Sequence, residues 1–304
     1  MSTATEHLLL PHGGGIWNGV KTAMLLALLT ALLLWIGQAI GGAQGVVVAL
    51  AFALVMNFVS YWWSDKIALR VHHAQPLPRE QAPWLYEMVG RLAARADIPA
   101  PPIYVIPTMT PNAFATGRGP KHAAVAVTQG ILQLMDRREL EGVLGHELGH
   151  VKNHDTLTMT VVATLAGAIS MIGSLLRWTA IFGGFGGGSD RDRGASGLEL
   201  LFMAIVAPLV AMLIQLAISR RREYAADEAG AELSGSPDAL ADALERLEAG
   251  NRARPFDNAP AMAHLFIVNH LSGRGLTGLF STHPPIEERV RRLRAMSGTA
   301  PLVS

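Results

Sequence analysis

Four stretches of this chain are long and apolar enough to cross a lipid bilayer as helices, and they constrain the fold more than anything else in the sequence. They cover residues 22–40, 46–63, 157–176 and 198–218, and Glu199, at the edge of the fourth, is the only charged residue among them. A bilayer core of about 30 Å is crossed by about 20 helical residues, close to the length of each stretch. Composition agrees. The 304 residues are 50% hydrophobic and only 16% charged, against about 25% charged in a soluble domain, and nearly all the charge lies outside the four runs. Disorder is excluded, because it needs low hydrophobicity and high net charge. A net charge of +1 argues against a nucleic-acid-binding face. With no cysteine, disulfide staples, thiolate metal sites and a cysteine nucleophile are excluded as well.

Each run has a second reading as a buried core helix. That reading is weakest for the first two and stronger for the third, which is rich in Gly, Ser and Thr, and for the fourth, which Pro208 interrupts. A proline is tolerated in a membrane helix when its neighbours satisfy the freed backbone groups. The first run also compares with a cleaved signal peptide, but no convincing small-x-small site follows it, and an uncleaved anchor is expected. Lys21 precedes the first span, Lys66, Arg70 and Arg79 follow the second, and the 41–45 loop has no basic residue. Basic flanks stay inside, so the polar regions are expected in the cytoplasm, although Arg177, Arg191 and Arg193 argue the other way. The expected organisation is a leader (1–21), a membrane hairpin (22–63), a first polar part (64–156), a second hairpin (157–218) and a second polar part (219–304). The fold class is a mainly helical α+β membrane protein with four spans and a small sheet.

In the first polar part, periodicity predicts a helix over 80–96, with Trp84, Met88, Val89 and Leu92 on one side. Strand-like runs follow at 103–106, 112–116 and 123–128, the last two joined by a turn at 117–120. Asp136 and Glu139 have capping-box spacing and start a helix running past His150. After the fourth span, helices are expected at 221–233, at 237–249 with Gly250 as stop, and at 286–296.

From His146 the sequence reads His-Glu-Leu-Gly-His. Two histidines at i and i+4 lie about 40° apart on a helix and about 6 Å along it, so both rings can reach one metal ion. Glu147, about 100° round from His146, is placed to act on water at that ion. This is the metalloprotease pattern of two ligands and a general base. An open catalytic site needs a third protein ligand. His154 lies about 12 Å along the axis from His146, too far to share an ion. The third and fourth spans return the chain to the same membrane face just before Glu223 and Asp227, which are i and i+4. Two readings of that pair stand on spacing alone. In one, Glu223 binds the metal and Asp227 accepts a ring N–H of a ligand histidine. In the other, both belong to a solvated acidic face beside Arg220, Arg221 and Arg222.

The stretches 146–155 and 219–227, together with 112–118, 263–269 and 281–289, resemble the HtpX-type membrane metalloproteases over nearly the whole chain after about residue 20. The long leader and His270, where a proline is usual, depart from the pattern. The resemblance implies a gluzincin-like protease domain facing the cytoplasm of a bacterial inner membrane, in a multi-pass zinc endopeptidase that clears misfolded membrane proteins under stress. It implies one Zn2+ per chain on His146, His150 and Glu223, with Glu147 as base. Its partners would be protein substrates in or at the membrane and the bilayer, with no nucleic acid. Small residues Ala163 and Gly167 admit helix packing and with it a homo-oligomer. His283 and Arg289 are candidates for stabilising an oxyanion or holding the Glu223 helix, and spacing alone equally allows a mere turn and helix start there. The strand Asn112, Ala113, Phe114, Ala115 is a candidate edge for an extended substrate, or else an ordinary core strand. Two rival functions remain: a scaffold or chaperone-like protein with structural zinc, which needs a fourth protein ligand, and a prenyl-protein protease.

Overall fold

The structure, a computed structural model, describes residues 14–161, 220–253 and 284–298. Helix α1 (Gly14–Val71) is two helices joined at Gly42, whose φ of 56° and ψ of −140° reverse the chain. The halves run back along each other. Asn57 Nδ2 donates to Thr30 Oγ1 at 2.9 Å across the pair. Gly37 and Gly45 touch: a Cβ on Gly37 would stand 2.4 Å from the Gly45 carbonyl oxygen. The reversal falls inside the 41–45 loop expected from sequence. The returning half, Gly42–Trp63, has a mean hydropathy of 2.0 and is almost entirely unburied. Among the described residues it is the one helix long and apolar enough to cross a membrane, and Thr22–Trp35 is a shorter apolar helix. Helix also extends back from Thr22 to Gly14, into the expected leader. The third span is described only at its start, as helix over 155–161. The rest of it, the glycine-rich 182–194 stretch and the fourth span lie outside the described residues.

A four-stranded sheet follows: β1 (Gln75–Pro76), β2 (Ile103–Ile106), β3 (Ala113–Thr116) and β4 (Ala124–Thr128), in the order β1-β2-β4-β3. β2 pairs parallel to β4, while β1–β2 and β3–β4 are antiparallel. The period of two in side-chain direction divides it cleanly. Ile103, Ala113, Ala115, Val125 and Val127 face the main helical core. Ile106, Phe114, Ala124 and Ala126 face the end of α1, where Ala68 and Leu69 pack on them. The helix that leaves the expected membrane region therefore runs directly into one face of the sheet.

On the other face lie α2 (Pro83–Ala96) and α4 (Arg137–Lys152), followed by α5 (Arg220–Ser234), α6 (Pro237–Ala253) and α7 (Ile286–Ser297). α2 starts at Pro83 rather than residue 80, because proline fits the first turn. Its buried face is centred on Leu85, Met88, Val89 and Leu92, with Trp84 only half-buried. The capping box of α4 forms as its spacing predicts, with Asp136 accepting from Arg138 and Glu139 N–H and Glu139 reaching back to Asp136 N–H. Two short elements escaped the sequence reading: β1, and α3 (Gln129–Leu134), which Thr128 caps by accepting from Ile131 N–H. The expected stop at Gly250 is corrected, since α6 runs through it to Ala253. There glycine serves close packing instead, because an added Cβ would meet Leu134 and Pro111 at 3.0 and 3.1 Å.

Candidate metal centre

α4 and α5 cross with unusually little between them. A Cβ on Gly145 would stand 2.9 Å from the Gly230 carbonyl oxygen, and one on Gly230 would stand 2.7 Å from the His146 backbone nitrogen. This contact of bare backbones brings the first turn of α5, with Glu223, over the His-Glu-x-x-His turns of α4.

His146, His150 and Glu223 are all buried, and one ligand atom from each lies within 4.8 Å of the others. The imidazole planes stand at 88° with centroids 4.8 Å apart. Glu223 carboxylate oxygens lie 3.9 Å from His146 Nε2 and 3.7 Å from His150 Nε2. Ligand atoms at about 2.1 Å from a tetrahedral ion stand roughly 3.4 Å apart, so these three side chains are close enough for one ion to draw together. Two imidazoles and a carboxylate without thiolate match the donors of catalytic zinc.

The other ring nitrogens show how the donors are aimed. His146 Nδ1 faces Asp227 Oδ1 at 3.0 Å, and His150 Nδ1 faces Asp155 Oδ2 at 3.3 Å. Each carboxylate accepts an Nδ1–H and leaves Nε2 free to bind a cation, the arrangement that fixes a ligand histidine's tautomer. Both are in turn held by arginine. Arg289, fully buried, donates from Nε and Nη2 to Asp227 at 2.8 and 2.6 Å. Its Nη1 stands 3.8 Å from Glu223. Arg289 Nη2 also lies 3.4 Å from His146 Nδ1, but both atoms carry hydrogens, and Asp227 is their shared acceptor. Arg222 Nη1 stands 3.7 Å from Asp155.

Charge sets the protonation states. Burial pushes Asp227 up, but the guanidinium of Arg289 and its hydrogen bonds hold the carboxyl at about 2. Burial pulls His150 down, but its hydrogen bond to Asp155 and the charges of Glu223, Asp155 and Glu147 raise it to about 9. Burial raises Glu147 above the usual carboxylate range against the opposing pull of His146 and His150. Its Oε2 accepts from Ala115 N–H at 2.9 Å.

The predicted residues converge with few exceptions. Glu223 and Asp227 are buried beside the two histidines rather than on a solvated acidic face, because α5 packs closely on α4. Arg289 grips Asp227 and so holds the α5 helix. His283 and the 263–269 stretch lie outside the described residues. Ala113, Phe114 and Ala115 lie in β3, an edge strand of the sheet, and Asn112 immediately precedes it, all four buried. His154 is exposed, with a left-handed φ of 58°. Asp155 was missed as a partner of His150. The signal was present: α4 ends at Asn153, His154 turns the chain in the αL conformation common after a helix C-cap, and the next residue is the carboxylate.

Comparisons with known proteins agree with the geometry. Residues 79–297 match peptidase family M48. The chain is 54% identical to a protease HtpX homolog of Syntrophobacter fumaroxidans over 277 residues, covering 91% of this chain and 98% of that one. It is 53% identical to a protease HtpX homolog of Thermococcus sibiricus over 287 residues, covering 94% and 97%. Among solved structures, S. mikatae Ste24p superposes with a TM-score of 0.49 at 19% identity, covering 91% of this chain and 66% of that one.

Proposed function

The chain belongs to peptidase family M48 and is a metalloprotease; on that premise we propose that it is a zinc endopeptidase anchored in the cell membrane, cleaving misfolded or damaged proteins in or at the bilayer. The observation that carries this is the convergence of His146, His150 and Glu223, with Glu147 beside them on the edge of β3. When bound, zinc supplies Lewis acidity, polarising a peptide carbonyl and making water a stronger acid. Glu147 takes the proton of the attacking water at its carboxylate and returns it to the leaving amine. Its burial favours this shuttle, since a raised pKa narrows the gap to neutral pH. Ala115 N–H fixes the carboxylate in place. Asp227 and Asp155 keep the Nε2 atoms aimed inward, and Arg289 and Arg222 hold those two carboxylates.

The edge of β3 supports a reading in which an extended substrate adds as a further strand. Ala113 and Ala115 are small enough for a second backbone to approach, and Ala115 lies one hydrogen bond from Glu147. A membrane location is supported by the Gly42–Trp63 helix, and a multi-pass arrangement with the protease domain on the cytoplasmic side of a bacterial inner membrane by the chain reversal at Gly42 and the basic flanks of that hairpin. The scaffold and prenyl-protein alternatives are less favoured, because relatives 54% identical to this chain carry the name protease HtpX homolog. The test is digestion of one membrane protein, native and unfolded, by the purified full-length chain. Cleavage of the unfolded form, abolished by a chelator and restored by zinc, is expected. No cleavage of either form by zinc-loaded protein contradicts the reading.

A further inference from the structure

The turn between β3 and β4 sits against the aromatic end of the membrane helix. Tyr61, Trp62 and Trp63 are all exposed at that end, and Trp and Tyr collect at the headgroup level of membranes. Arg118 stacks on the Trp62 ring, 4.4 Å from its centroid. The turn is shaped for tight passage, since a Cβ on Gly117, at φ 128°, would overlap the His122 carbonyl oxygen at 2.2 Å. Arg118 Nη2 lies 3.2 Å from His122 Nε2. Lys121 and His122 are exposed. The His154 ring lies close to Gly119, 3.6 Å from where its Cβ would be. On α1, Lys66 is exposed one turn beyond Trp62, about 6 Å along the axis toward the domain. Asp155, next to His154 in the chain, is turned inward onto His150.

We propose that the 117–122 turn, with Trp62 and Lys66, is a binding site for the phosphate of anionic lipid headgroups in the membrane that the chain spans. An aromatic belt sets the depth, the Arg118 guanidinium lies at that depth on the Trp62 ring, and the exposed Lys121 of the same turn and Lys66 one helical turn from Trp62 add positive charge. Arginine and phosphate match in planar, paired hydrogen bonds, and lysine adds a point charge. The turn continues directly from β3, so a lipid held there would tie the strand that positions Glu147 to the membrane surface. The inference rests on the spanning role of Gly42–Trp63.

The test is native mass spectrometry of the full-length protein extracted from nanodiscs that mix phosphatidylcholine with phosphatidylglycerol. Wild type should retain phosphatidylglycerol in preference. The double variant R118Q/K121Q should lose that preference by about fivefold for each charge removed, with bound zinc unchanged as the check on folding. R118K should keep most of it. Equal retention of the two lipids by wild type, or undiminished preference in a zinc-loaded double variant, overturns the site while leaving the spanning role intact. Failure of wild type to insert into discs overturns both.

Discussion

Each of the two histidines proposed as ligands is one member of a chain that runs from arginine to carboxylate to imidazole. The outer members therefore carry predictable weight. Asp155→Asn and Asp227→Asn keep a side chain of the same size but weaken the acceptor for Nδ1–H. Each should reduce zinc affinity by about 10–100-fold, measured by competition with a chromophoric chelator. Unchanged affinity in both would mean that the two carboxylates do not orient the ligands. Zinc binding should also depend on pH with a definite sign. Zinc needs the neutral imidazole, and His150 in the metal-free chain holds its proton up to about 9. Apparent affinity should therefore still climb between pH 7 and 9, by up to about tenfold per unit. In the metal-free chain the same raised pKa stabilises the fold below the ordinary histidine value near 6.5, and that contribution is lost as pH rises through about 9. At this scale the sequence was highly legible where the chemistry is local. The spacing of His146, Glu147 and His150 announces itself, whereas Asp155 depends on one αL residue, His154, turning the chain back, which no periodicity reveals.

At the scale of elements, the site depends on how closely two helices approach. Gly145 and Gly230 remove the side chains that would hold α4 and α5 apart. Gly230→Ala places a Cβ 2.7 Å from the His146 backbone nitrogen. Backbone cannot rotate out of the way, so the helices must part, and Glu223 moves with α5. The variant should bind zinc at least about tenfold more weakly, with helical content by circular dichroism close to wild type. Wild-type zinc affinity in a folded Gly230→Ala would show that the close crossing does not set the site. Most elements could be read in advance because their signals are short-range, as with the capping box of Asp136 and Glu139 or the alternation in β4. Gly250 misled because a glycine reads the same whether it ends a helix or clears space for Leu134 and Pro111. α3 and β1 are too short to show a period.

At the scale of the whole molecule, the paired helices of α1 and the protease domain form one continuous structure. α1 delivers Ala68 and Leu69 to the sheet. The Thr22 and Thr158 hydroxyls meet at 3.0 Å, which puts the beginnings of the first and third expected spans side by side at the domain. Gly42 lies at the far end of its hairpin from the domain, the end that the proposed topology puts across the membrane. The absence of cysteine makes this simple to test. A single cysteine at Ala43 should react with an impermeant maleimide in intact spheroplasts, and one at Arg79 only after lysis. The reverse pattern would invert the topology. The first hairpin could be foreseen because charge-free length is a whole-segment property that survives local ambiguity. Bringing Glu223 to His146 required the second hairpin as a premise, and only the packing of α5 on α4 turns that premise into a contact.

Glu147 lies beside the proposed metal ligands without being one of them. The decisive measurement compares cleavage of an unfolded membrane protein by zinc-loaded wild type and Glu147→Gln at equal zinc content. The substitution keeps the side-chain size and an oxygen acceptor for Ala115 N–H but removes the group that moves the proton. Zinc should remain at one per chain, while the rate should fall by about 10²–10⁴-fold. A zinc-loaded Glu147→Gln that cleaves at the wild-type rate would contradict the assignment of the site as a peptidase centre with Glu147 as its base.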